Sequence, residues 1–319
     1  MSLMARVRKY CNFMHSKVAI FIWVISLFFF FSSFHMLRNN SSLHNSTSTL
    51  GASISNTEKR TRMYDKMARD LDEHGPAFLK HGKTSQSLSL DDLFTVKDGV
   101  VTPNPRPANP LVRANVLYLS PEYSIPISNA VQNVFSPYFD GAIWFQNSSL
   151  YHFSMFHASH HISPVPATPE EIETEANAVK NIVKSLCPLK IVLERVILTS
   201  TGVLLGCWQV SSGSDPTTIR AKLRSVLPRA PEKQLYDAAI LHTSFARLLG
   251  PPRVLNKELY KTSDDVQMFH ELVARLNNEI RGFQAAVTEL WYVEELDVLA
   301  LALNGRMKVR RLQLSCSQV

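Results

Sequence analysis

The chain has 319 residues, 45% hydrophobic and 19% charged, which fits one folded domain with appendages and excludes a chain disordered throughout. Its formal net charge of +7 is compatible with anionic ligands but does not demand them. Part of the excess sits at Arg6, Arg8, Lys9 and Lys17, and part at Arg306, Lys308, Arg310 and Arg311. The four cysteines (Cys11, Cys187, Cys207 and Cys316) form no CxxC pair, which excludes a zinc ribbon and a thioredoxin-type motif.

Residues 1–17 read as a short basic tail. Val18 to Phe34 is uncharged and rich in Phe, Ile and Val, and His35, Met36 and Leu37 extend it. About 20 apolar residues cross a bilayer, so 18–37 is expected to be a membrane-spanning signal anchor. A cleavable signal peptide is the alternative, but the run is long for one and no A-x-A-like site follows. Basic residues precede it and Arg38 alone follows closely, so the positive-inside rule expects the C-terminal part to be lumenal, in the Golgi or endoplasmic reticulum. Cys11 then faces the cytosol. The other cysteines face an oxidising compartment, with Cys187–Cys207 as the expected pair, or three free thiols as the alternative.

Residues 38–110 are expected to be a polar stem and linker. Asn39, Asn40 and Asn45 open glycosylation sequons, and Asn147 opens a fourth farther on. Glu58–Lys80 carries helical spacing (Met63, Met67, Leu71), and the prolines from Pro103 to Pro110 predict an extended linker.

The compact domain is expected from Leu111 to the C-terminus. Asn115–Leu119, Ala142–Phe145 and Leu150–Phe156 read as strands. Thr168-Pro169-Glu170-Glu171 opens a helix: a capping hydroxyl, proline at the first turn, then acids. Ile191–Leu198 and Val203–Val210 predict a hairpin around Ser200-Thr201-Gly202, and Asp215-Pro216 starts another helix. Ala238–Leu248 reads as a strand, and Ser263-Asp264-Asp265 caps a long helix. Val287–Val293, Val298–Leu303 and Lys308–Leu314 read as closing strands. Strands mixed with helices and joined by hairpins predict an α+β fold.

Two of these strands carry chemistry. Tyr151-His152-Phe153-Ser154-Met155 and Leu241-His242-Thr243-Ser244-Phe245 each place a histidine and a hydroxyl two residues apart, on one face of a strand. Two such strands facing each other supply two imidazoles and two hydroxyls. That set suits phosphodiester cleavage without metal: one imidazole to take a proton from the attacking water, the other to protonate the leaving oxygen, and the hydroxyls to bind phosphoryl oxygens. The bare H-x-[ST] pattern is short and recurs at His44, His157 and His161, so the strand context carries the weight. The bland alternative is two half-buried histidines without a role.

The pair of apolar-H-x-[ST]-apolar strands resembles the two-histidine (2H) phosphoesterase superfamily, the RNA ligase/cyclic nucleotide phosphodiesterase-like proteins. The element order and the hairpin at Ser200-Thr201-Gly202-Val203 add to the resemblance, which spans roughly Leu111 to Leu314. It implies a two-lobed α+β domain around a central cleft, His152 and His242 as the acid/base pair, and Ser154 and Ser244 as phosphate ligands. It also implies no metal or other cofactor, and a small phosphodiester or an RNA end as the partner. Both hydroxyls are serine where the family more often has threonine.

Other readings stay open. His157, His160 and His161 could hold a metal, or form a polar loop after the strand. Arg247 could reach a phosphate, or make an ordinary surface ion pair. A lumenal glycosyltransferase would use a D-x-D motif, and the match, Asp70-Leu71-Asp72, lies in a predicted helix rather than in a loop after a strand. A non-catalytic binding module on the same fold is a third class.

Overall fold

The computed structural model describes residues 54–82, 84, 88–252 and 262–316. The expected tail, the anchor at 18–37 and the sequons at Asn39, Asn40 and Asn45 lie outside the described residues. Among those described, no helix is long and apolar enough to cross a membrane.

Three helices come first: α1 (Asn56–His74), α2 (Ala77–His81) and α3 (Leu90–Leu93). The ribbon β1 (Phe94–Lys97) and β2 (Val100–Pro103) follows, then β3 (Pro107–Tyr118), α4 (Pro121–Phe135), β4 (Ile143–Phe145) and β5 (His152–Ser159). Next are α5 (Pro169–Val183), β6 (Leu189–Leu198), β7 (Val203–Ser212), α6 (Pro216–Val226) and β8 (His242–Leu248). The last are α7 (Thr262–Ile280), β9 (Gln284–Val287), β10 (Glu289–Asp297), α8 (Ala300–Leu303) and β11 (Met307–Gln313). Beside the ribbon, two antiparallel sheets form, in the orders β11-β10-β3-β5 and β4-β8-β7-β6-β9.

The α+β expectation and the hairpin at Ser200-Thr201-Gly202 match this architecture. Gly202 turns with φ +81°, and a Cβ there would lie 2.8 Å from the Leu248 carbonyl oxygen, so both backbone angle and space favour glycine. The Thr168 cap is a full capping box with Glu171.

Several expectations change. Residues 54–110 are not stem: they belong to the same compact unit as the rest of the described domain. Helix α1 stops at His74 because Gly75, at φ +64°, and Pro76 break it. It buries Arg60, Tyr64 and Leu71. Of the prolines of the expected linker, Pro103 ends β2 and Pro107 opens β3, where a missing N–H is tolerated, Pro105 lies between the two strands, and Pro110 lies inside β3. Val298–Leu303 is not a strand. The ladder slips between Glu295 and Asp297, Leu299 turns left-handed, and the Leu301 N–H donates to the Glu295 carboxylate, starting α8. Val287–Val293 is divided at Thr288, where the chain leaves the five-stranded sheet for the four-stranded one. Helix α4 has no counterpart among the expected elements, although Ser120-Pro121-Glu122 repeats the grammar of Thr168-Pro169-Glu170. Cys187 is bonded to Cys316, not to Cys207. Cys207 lies buried inside β7, against Tyr64 and Ile240, while Cys316 follows the last strand and its N–H reaches the Leu186 carbonyl.

The core joins both sheets. Phe153 of β5 packs edge-to-face on Trp208 of β7, with centroids 5.8 Å apart, and Tyr151 lies 5.5 Å from Phe245 of β8. Each fully buried aromatic side chain contributes roughly 1.5–3 kcal/mol. Gly206 makes room for Phe245, since a Cβ there would sit 2.2 Å from the ring. Helix α1 closes the other face of the five-stranded sheet. Its Arg60 donates to Gln209 and pairs with Asp215 at 2.8 Å, and its Tyr64 hydroxyl reaches the Trp208 and Leu241 carbonyls and accepts the Leu241 N–H. Arg60→Ala leaves Asp215 and Gln209 without this partner and is expected to cost about 3 kcal/mol. Urea unfolding followed by tryptophan fluorescence measures it, and a midpoint unchanged from wild type would show that the helix is not part of the cooperative unit.

Candidate active site

Strand β5 is the edge of the four-stranded sheet, and β8 lies inside the five-stranded one. Phe153 and Met155 point into the core, so His152 and Ser154, half-buried, point the other way. On β8, Phe245 and Thr243 are fully buried while His242 and Ser244 face outward. All four outward residues line one cleft of about 750 Å³ between the sheets. The structure thus brings the sequence-predicted pairs His152/Ser154 and His242/Ser244 together.

Beyond each serine the alternation changes phase. On β5, Val116 pairs with Ser154 but Asn115 pairs with Phe156, so Met155 is an extra residue in the ladder, and Ala158 is a second. His157 therefore returns to the cleft side, three positions after Ser154, and His160 follows it. On β8, Leu205 pairs with Ser244 but Leu204 with Ala246, which leaves Phe245 as the extra residue. Arg247 then shares the cleft face with His242 and Ser244. The two strands read His-x-Ser-x-x-His and His-x-Ser-x-x-Arg with a bulge after each serine.

Among the described residues Arg247 makes no surface ion pair, one of the two readings open from sequence. Among the described residues its guanidinium meets only the Thr201 carbonyl, at a long 3.5 Å, and no carboxylate. Burial pulls its pKa down to about 10, so it remains a cation at neutral pH. Strict alternation would turn residue 247 away from residue 242, so it is the bulge that brings Arg247 to the cleft face.

His152 has a fixed tautomer. Its Nδ1 lies 2.8 Å from the Leu150 carbonyl, which can only accept, so Nδ1 carries the proton and Nε2 holds the lone pair in the neutral ring. Burial lowers its pKa, and the Leu150 bond works in the opposite direction. His242 packs edge-on against Tyr236, with centroids 4.7 Å apart. Burial pushes its pKa down to about 3, and the charges of Arg220 and His152 add to the shift.

The remaining histidines divide. His160 uses both nitrogens: the Ser163 N–H donates to Nδ1 at 3.1 Å, and Nε2 donates to the Lys233 carbonyl at 3.2 Å. It is a neutral structural residue with no lone pair left for a metal. His157 sits on β5 rather than in a loop, and burial, then its neighbours His160 and His161, push it down to about 3. Among the described residues no group of three or more His, Cys, Asp or Glu gathers to hold a metal ion. The D-x-D match is spent on structure: Asp70 accepts the Ser200 N–H at 2.8 Å, and Asp72 pairs with His270. One carboxyl that the sequence did not suggest lines the cleft. Glu295 is buried, which raises its pKa to about 7.

The loop between α6 and β8 closes one side of the cleft. The Gln234 amide accepts the His157 N–H and donates to the His157 carbonyl, so a side chain pairs with the free edge of β5. The sequon at Asn147 is exposed on the β4–β5 loop, where its Oδ1 accepts from the Ser149 N–H and hydroxyl.

No protein-family model matches the chain. No curated protein matches it. Among solved structures it is similar to TT0787 of Thermus thermophilus, with 13% identity, a TM-score of 0.45, and 65% of this chain and 100% of that one covered. It is also similar to Escherichia coli LigT in apo form, at 13% identity and TM-score 0.41, covering 64% and 98%. A conserved protein of unknown function from Agrobacterium tumefaciens, ATU0111, aligns at 10% identity and TM-score 0.42, covering 64% and 86%.

The buried imidazoles set an acid limit on stability. Unfolded histidines bind protons below about pH 6.5, while His157 and His242 stay neutral in the fold down to about 3. The unfolded state binds more protons across that window, so stability falls as pH drops from 6.5 toward 3. The melting temperature is expected to fall between pH 7 and pH 4, and to fall less in the double variant His157→Gln/His242→Gln. An identical decline in that variant would remove these two groups as the cause.

Proposed function

We propose that this protein is a metal-independent phosphodiesterase acting on a cyclic phosphate or an RNA-end phosphodiester by two-histidine acid/base catalysis. The observation that carries the reading is the convergence of His152, Ser154, His242, Ser244 and Arg247, a cation with no carboxylate partner among the described residues, on one cleft. Arg247 and the two serines bind the phosphoryl oxygens. His152 is suited to the base, because the Leu150 carbonyl leaves its lone pair on Nε2. A water gives a proton to that nitrogen as its oxygen bonds to phosphorus. The bond from phosphorus to the leaving oxygen breaks, and that oxygen takes a proton from His242.

His242 must be protonated for this step, yet it is neutral in the empty cleft. A bound phosphodiester anion favours the imidazolium, so binding and proton uptake are coupled. That same depressed pKa favours one second reading, a module that binds phosphodiesters without cleaving them.

Turnover of 2′,3′-cyclic nucleotides with EDTA present separates the two. His152→Ala and His242→Ala are each expected to lower kcat by about 10²–10⁴-fold, and Arg247→Ala to weaken binding. A folded wild-type protein that binds these nucleotides but turns none over would favour the binding module.

We further propose that residues 18–37 anchor the chain in a secretory-pathway membrane, with the domain lumenal and Asn39, Asn40, Asn45 and Asn147 as glycosylation sites. The Cys187–Cys316 bond and the exposure of Asn147 support that placement. Protease protection of the domain in intact microsomes, together with a mobility shift on N-glycan removal, tests it. A domain digested without detergent and carrying no glycan would refute it.

A further inference from the structure

Arg220, on α6, is buried and, among the described residues, reaches no carboxylate through a hydrogen bond. Its Nε donates to the Met155 carbonyl at 2.9 Å, its Nη2 to the Ser154 carbonyl at 2.9 Å, and its Nη1 to the Ala238 carbonyl at 2.7 Å. Two of these acceptors belong to the β5 bulge. An extra residue in a ladder leaves backbone groups without a partner strand, and a buried carbonyl without a donor is costly. The planar guanidinium, with five N–H groups in a fixed fork, satisfies both bulge carbonyls and the loop carbonyl at once.

We propose that Arg220 is a positioning residue of the phosphate site, one that holds the β5 bulge so that Ser154 and His157 face the cleft and sets a buried positive charge behind them. The inference rests on the two-histidine reading of the cleft.

The charge is felt where the reading needs it. Arg220 acts on His242 and His157, in both cases against protonation. The other groups facing His242 are His152 from β5 and Tyr236 from the α6–β8 loop, with Arg247 on its own strand and Cys207 paired with it on β7. Those facing His157 are His152, His160 and His161. Around Arg220 itself stand Asp237, Tyr64, Asp215 and Arg60. Asp215 is paired with Arg60, and Asp237 accepts the Ala239 N–H at 2.8 Å, so neither is held by Arg220. A bound anion in front of the bulge therefore meets the serine hydroxyl and a cation anchored behind it.

The test compares Arg220→Lys and Arg220→Gln in the full chain. It reads inorganic phosphate affinity by calorimetry and the imidazole titration of His242 by NMR, with a melting curve as the check of folding. In Arg220→Gln, phosphate affinity is expected to fall at least tenfold and His242 to titrate at higher pH, because the repelling charge is gone. Arg220→Lys keeps the charge but not the fork, so its His242 titration stays near wild type while phosphate affinity falls. A folded Arg220→Gln protein with phosphate affinity within twofold of wild type and an unmoved His242 would overturn the proposal. Equal losses in both variants with no movement of His242 would reduce Arg220 to a purely structural residue. If Arg220→Gln does not fold, Arg220→Lys decides: full phosphate affinity there overturns the positioning role. A wild-type protein that binds no phosphate sinks the two-histidine reading instead, and the His242 titration still judges Arg220.

Discussion

Residues an odd number of positions apart on a strand point to opposite faces, so strict alternation along β8 would turn Arg247 away from His242 and Ser244. The bulge at Phe245 reverses the phase and places a cation at the end of the His-x-Ser row. The bulge at Met155 does the same for His157 on β5. Without them each strand would offer the cleft an alanine or a phenylalanine in that place. Beside Arg247 the cleft holds a fixed tautomer at His152 and hydroxyls on both walls.

Those bulges survive because their surroundings tie them down from both sides. From the core, Phe245 occupies the slot left by Gly206, and Phe153 braces on Trp208. From the polar side, Arg220 takes the carbonyls of the β5 bulge, and Gln234 takes the backbone of His157. Buried polar groups that are fully paired rigidify a site, whereas each unpaired one costs roughly 1–3 kcal/mol. Substitution in this ring of contacts acts on the direction of Ser154 and His157 as well as on stability.

Much of this was legible in the sequence through local rules. The helix start at Thr168-Pro169 and the hairpin at Ser200-Thr201-Gly202 are decided within a few residues, and so are the faces of His152, Ser154, His242 and Ser244. What could not be read depends on distant partners. The place of Arg247 needs the ladder with β7, the division at Thr288 needs both sheets, and the bond of Cys187 to Cys316 needs the last strand brought back beside α5. Residues 54–110 read as stem and linker from the polar stretch before them and the prolines at their end. Yet Arg60 and Tyr64 bury themselves through hydrogen bonds that no hydropathy pattern reveals. Asp70 and Asp72 show the converse: a motif of metal ligands in spelling, spent on a turn and on a surface histidine.

Helix α1 links the start of the described chain to the cleft. Its Tyr64 hydroxyl grips the backbone of Leu241, the residue before His242, and its Asp70 holds the turn whose Thr201 carbonyl meets Arg247. In mechanical terms α1 is a lever and not a leash. A shift of α1 would therefore be felt at two places along the cleft wall, the backbone just before His242 and the turn beside Arg247.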